Sequence, residues 1–182
     1  MEHPLHPLTV EQSDFMSKLR YVMSGPVYFF GSILRSDYIE GESDIDLMYF
    51  SDNIDKASED MYQFMINYSN NNPNVKVKVR PFLYKSKDTH YKYSSGYKLK
   101  YIDPENSIPI EIIIHPVKYK EIVRRDKLAL ADASFIYILF LKIIRWLKKY
   151  GLLPKEITRM LKAIVIDINR GYSIDFKVFP YW

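Results

Sequence analysis

The feature that most constrains this chain is Phe30-Gly31-Ser32, followed twelve positions after the serine by Asp44-Ile45-Asp46-Leu47. The runs Pro26 to Phe30 and Asp44 to Phe50 are rich in aliphatic and aromatic residues, so both read as short strands, with a Gly-Ser turn leaving the first. Strand side chains alternate with period two, which projects Asp44 and Asp46 from one face while Ile45 and Leu47 enter the core. Two carboxylates placed in this way can reach one pair of divalent cations, a geometry that suits displacement at phosphorus. Gly31 lets the backbone come close to a phosphate. Ser32 can add its hydroxyl to the N–H groups that open a helix, which form a natural anion site. An Asp-x-Asp pair alone would more often than not be a solvated strand; the turn before it and the spacing are what give it chemistry.

The 182 residues suffice for one domain with a sizeable core, or for one domain with a helical extension, and 47% hydrophobic content indicates a globular protein. With no cysteine, neither disulfides nor thiolate metal sites contribute, and a soluble cytoplasmic protein is expected. Met1 to Leu8 is short, polar and proline-containing, unlike a secretion signal. The apolar run Phe135 to Leu141 ends at Lys142 and Arg145, too short to span a membrane, so it reads as a buried helix and no membrane partner is expected. A net charge of +4 is a weak pointer to an anionic partner.

Periodicity predicts a helix over Thr9 to Met23 with Thr9 as N-cap, broken by Gly25-Pro26. After the two strands, Asp55 to Tyr68 reads as an amphipathic helix through Met61, Phe64, Met65 and Tyr68, stopped by Asn70-Asn71-Asn72-Pro73. Val75, Val77 and Val79 alternate with Lys76, Lys78 and Arg80, and Tyr97, Leu99 and Tyr101 alternate with Lys98 and Lys100, giving two strands with a basic face. The turn at Asp103-Pro104-Glu105-Asn106 leads into a strand Ile108 to Ile114, and helices are predicted over Val117 to Leu128, Ser134 to Tyr150 and Lys155 to Asn169. Within Ile108 to Ile114 the even positions are all isoleucine and Glu111 points the other way, a lone charge in an apolar strand.

The run Gly31-Ser32-x(11)-Asp44-x-Asp46 resembles the signature of the polymerase β-like nucleotidyltransferase superfamily, which includes repair polymerases, poly(A) polymerases, oligonucleotide and cyclic-dinucleotide synthases and antibiotic adenylyltransferases. The resemblance implies an α/β (α+β) palm, a mixed sheet flanked by helices over residues 1–116, followed by a helical region over 117–182 packed with it as one unit. It implies two Mg²⁺ ions, with Mn²⁺ as a substitute, held by Asp44, Asp46 and, as third acid, Glu111, and a nucleoside triphosphate, ATP favoured, bound through Gly31, Ser32 and Arg35. Arg35 also reads as a surface residue beside the turn. The run Phe140 to Leu153 is similar to the helix after the palm in poly(A) polymerases and oligonucleotide synthases. Ile144 stands where that helix carries a triphosphate-binding lysine, which leaves Lys142 or Arg145 to replace it. Trp146 reads equally as a core anchor.

Lys76, Lys78, Arg80, Lys98 and Lys100 interleave with tyrosines in a stretch that holds one acid, Asp88, between Val75 and Tyr101. Cations of this kind track phosphates while rings stack on bases, which fits an RNA acceptor; plain strand alternation with solvated lysines fits as well. His3, His6, His90 and His115 show no zinc spacing. The activity the resemblance implies is transfer of a nucleoside monophosphate to an acceptor hydroxyl, template-independent on an RNA 3′ end, as in a poly(A) polymerase-like enzyme. Repair-type DNA synthesis, oligonucleotide or cyclic-dinucleotide synthesis, protein or small-molecule adenylylation, and a binding module on the same palm are the alternatives. A second subunit, as in a homodimer, is one way to complete the cleft, and the tail Phe176 to Trp182 offers a docking segment.

Overall fold

Thr9 opens the first helix through a capping box: its hydroxyl accepts from the Gln12 N–H at 3.2 Å and the Gln12 side chain accepts from the Thr9 N–H at 3.0 Å. In this computed structural model, which describes residues 7–40, 43–84, 94–106, 108–128 and 135–169, that helix is α1 (Val10–Val22). There follow β1 (Val27–Phe30), a 3-10 turn (Gly31–Leu34), β2 (Ile45–Ser51), α2 (Ile54–Tyr68), β3 (Lys76–Tyr84), β4 (Ser94–Asp103), β5 (Ile108–Pro116), a second 3-10 turn (Val117–Tyr119), α3 (Lys120–Leu128), α4 (Phe135–Lys149) and α5 (Lys155–Asn169).

The strands form one mixed sheet in the order β1-β2-β5-β4-β3. The pairs β1·β2, β4·β5 and β3·β4 are antiparallel, whereas β2 and β5 run parallel. Parallel neighbours need a long connection, and here it consists of α2, β3 and β4.

One face of the sheet carries the main core. Ile45 and Leu47 of β2, Ile110, Ile112 and Ile114 of β5, and Leu99 and Tyr101 of β4 meet Phe15 and Leu19 of α1 and Met61 and Met65 of α2, all essentially inaccessible to water. Phe15 sits among the rings of Phe64, Tyr68 and Tyr101 at centroid distances of 5.2, 4.9 and 5.1 Å. Each such side chain contributes about 1.5–3 kcal/mol by leaving water. The helix α2 ends at the predicted asparagine cluster, where Asn70 and Asn71 take the left-handed conformation that asparagine tolerates.

The opposite face is divided. Phe30, Met48, Phe50 and Ile113 form a smaller apolar cluster roofed by Val123 of α3, with Tyr119 and Leu128 alongside. The Tyr84 hydroxyl donates to the Asp126 carboxylate at 2.8 Å, tying α3 to β3. The rest of this face lies beyond that roof and is polar.

The chain divides into two units, Met1–Ala131 and Asp132–Trp182, so α3 falls with the sheet although the sequence reading groups it with the later helices. In the second unit α4 packs on α5. Gly151 ends α4 at φ 70°, with its N–H on the Lys148 carbonyl (3.0 Å) and the Leu152 N–H on the Leu147 carbonyl (2.9 Å), a Schellman cap. Among the described residues no helix is long and apolar enough to cross a membrane. The stretch 85–93 and the tail 176–182, both singled out from the sequence, lie outside the described residues.

Candidate active site

The parallel pairing of β2 with β5 sets Asp46 directly beside Glu111. Continuing across the sheet, Glu111 faces Lys100 on β4 and Lys100 faces Lys78 on β3, while on the other side Asp46 faces Phe30. One row of register partners thus runs Phe30, Asp46, Glu111, Lys100, Lys78. Asp44 precedes β2 by one residue and, by strand alternation, shares the face of Asp46.

Gly31, in the turn after β1, meets this row through a close approach to Asp46. It has φ +78°, and a Cβ placed there would overlap the Asp46 carboxylate. Any other residue would meet both backbone strain and that oxygen. Ser32 is buried in the 3-10 turn, where its carbonyl accepts from the Arg35 N–H at 2.8 Å. Arg35 is also buried, and its guanidinium makes a two-pronged contact with Asp37 at 2.8 and 3.2 Å. The structure therefore places Arg35 as an internal strut beside the turn.

The acids differ in their surroundings. Burial, then the nearby charges of Glu111 and Asp44, push the Asp46 carboxyl up to about 7, opposed by Lys127 and Lys98. Glu111 is held by the Lys98 ammonium at 2.5 Å, and Asp44 by the Lys100 ammonium at 2.6 Å. Lys100 reaches over β5 to make this contact, since its register partner is Glu111. Oxygen donors alone, three carboxylates on one face, suit a hard divalent cation such as Mg²⁺. Among the described residues no three acidic or histidine groups converge as a finished metal cage, and two of the three carboxylates here are turned to lysines.

The basic residues predicted from the strands separate by position. Lys98 and Lys100 stand against the acids, Lys78 and Arg80 are exposed and pair in register with Lys100 and Lys98, and Lys76 is exposed near the start of β3. Lys142 is exposed and Arg145 half-buried on α4 of the second unit. Lys127 of α3 was not anticipated. It lies over the Phe30 ring at 4.7 Å from the centroid and acts electrostatically on Asp46, and the only sequence signal for it was a cation near the end of a helix.

A mixed sheet with two acids on one strand, a third on its parallel neighbour and a glycine turn against them has the architecture of a nucleotidyltransferase palm. The chain belongs to the nucleotidyltransferase domain family of the polymerase β-like superfamily, with residues 11–128 matching the family model. Among solved structures it is similar to terminal uridylyl transferase 4 from Trypanosoma brucei with bound CTP, at 14% identity and a TM-score of 0.47, over 93% of this chain and 56% of that one. It is similar to the GLD-2/RNP-8 complex at 16% identity and a TM-score of 0.42, over 93% and 55%. The complex of the non-canonical poly(A) polymerase GLD-2 with GLD-3 matches at 14% identity and a TM-score of 0.39, over 80% and 45%. The chain spans about half the length of these structures. No curated protein matches it at a significant level.

Proposed function

We propose that this protein transfers a nucleoside monophosphate from a nucleoside triphosphate to an acceptor hydroxyl, releasing pyrophosphate, with an RNA 3′ end as acceptor and ATP as the favoured donor. The observation that carries this reading is the adjacency of Asp46 and Glu111 across parallel strands, with Asp44 on the same face and Gly31 against the Asp46 carboxylate. Asp44, Asp46 and Glu111 would hold two Mg²⁺ ions, which lower the pKa of the acceptor hydroxyl and neutralise the triphosphate. The backbone at Gly31 and Ser32 receives the triphosphate, since the 3-10 turn presents N–H groups there without a bulky side chain.

The acceptor oxygen attacks the α-phosphorus, the bond to the β-phosphate oxygen breaks, and the hydroxyl proton passes to Glu111 on the acceptor side. Lys78 and Arg80 extend the positive face from the acids towards the β3 edge, which supports a polynucleotide acceptor over a compact one.

The test is incubation with each labelled nucleoside triphosphate and Mg²⁺, with single-stranded RNA, DNA or protein present. Elongated RNA, most abundant with ATP, is the expected product. Labelled protein or a free oligonucleotide in place of elongated RNA would reassign the acceptor, and no transfer to anything would overturn the reading.

A further inference from the structure

The two ion pairs within the acid cluster are unusual in position. Lysines on a solvated sheet face point to water, yet here Lys98 and Lys100 both turn to carboxylates of one small cluster, and Lys100 crosses a strand to do so. Three carboxylates on adjacent positions repel, and two ammonium groups offset that repulsion. Resting on the assignment of Asp44, Asp46 and Glu111 as metal ligands, we propose that Lys98 and Lys100 are internal counter-ions that a divalent cation displaces, and that the displaced ammonium groups then bind phosphate oxygens of the substrate.

The coupling follows from geometry. A carboxylate oxygen engaged by an ammonium at 2.5 or 2.6 Å has that lone pair occupied. A dication in the same place would repel the ammonium, so the cation's entry frees both lysines. Their stems stay anchored on β4, beside the row that carries Asp46 and Glu111, so the freed charges remain within reach of an anion bound at the acids. Metal and triphosphate then favour each other's binding through the lysines as well as by direct contact, a reciprocal coupling. Lys78 and Arg80, exposed on β3, lack such a contact with the acids and stand apart from this exchange.

The experiment measures Mn²⁺ binding by electron paramagnetic resonance, and binding of a non-hydrolysable ATP analogue with and without Mn²⁺, in the full chain and in Lys98→Gln/Lys100→Gln. Without its counter-ions the variant should bind Mn²⁺ roughly three- to tenfold more tightly, the size expected for two partly exposed ion pairs. The factor by which Mn²⁺ improves analogue binding should shrink. If the double variant does not fold, each single variant carries the same comparison. Equal or weaker Mn²⁺ binding after lysine replacement, with Mn²⁺ binding still lost in Asp44→Asn, would overturn the exchange while leaving the metal site standing. Failure of both proteins, the unsubstituted chain included, to bind Mn²⁺ would overturn the metal-site assignment, and the exchange with it.

Discussion

His115 is a titratable residue held among aromatic rings, away from water. It is fully buried, stacked on Phe50 at 5.9 Å and met edge-on by Phe82 and Tyr84 at 5.2 and 5.3 Å, and neither ring nitrogen has a hydrogen bond among the described residues. Burial first, then Lys127, lowers its pKa from 6.5 to about 3. The unfolded chain therefore binds a proton that the folded chain refuses between those values, so stability falls as pH drops below 6.5. His115→Phe should remove up to about 1.4 kcal/mol of that loss per pH unit. Urea midpoints at pH 7.5, 6 and 5 check it, and parallel curves for the two proteins would contradict it.

Single residues were unevenly legible. Gly31 and the two aspartates stood out because their meaning is local: a turn, a spacing, an alternation. Arg35 did not, since an Arg-x-Asp step looks the same whether its cation faces a ligand or folds back on the aspartate, and here it folds back.

At the scale of elements, α3 decides which part of the polar sheet face stays open. Val123 is its fully buried contact with Phe30, Met48, Phe50 and Ile113. Val123→Ala removes two methyl groups and leaves a cavity, a cost of about 2–3 kcal/mol. Val22→Ala, at a position of α1 that is 45% exposed, should cost less than about 0.5 kcal/mol. Chemical denaturation of both variants is the measurement, and an equal cost would mean that α3 does not roof this cluster. The helices were readable because amphipathic periodicity and caps are local: α5 runs over Lys155–Asn169 as predicted, and α1 begins after Thr9. What periodicity could not reveal is which strands become neighbours. Alternation put Lys98 and Lys100 on one face of their strand, but that this face is the acid-bearing one depends on β4 lying beside β5, a long-range pairing with no local signature.

For the whole molecule, residues 11–128 hold the family's fold, while the chain covers about half of the similar structures, so the chemistry has to be tested on this chain itself. In the proposed function the three acids serve catalysis at the expense of stability. Asp46 is pushed up to about 7 by burial and by its fellow acids, which means that its charged form is disfavoured in the metal-free fold. Transfer of AMP from α-labelled ATP to an RNA 3′ end by Asp46→Asn, measured beside its urea midpoint at pH 8, tests catalysis and stability together. Transfer should fall at least about a hundredfold, beyond the loss of an outer-shell partner, while the midpoint stays level or rises. Transfer retained within a few-fold by a folded Asp46→Asn protein would contradict it.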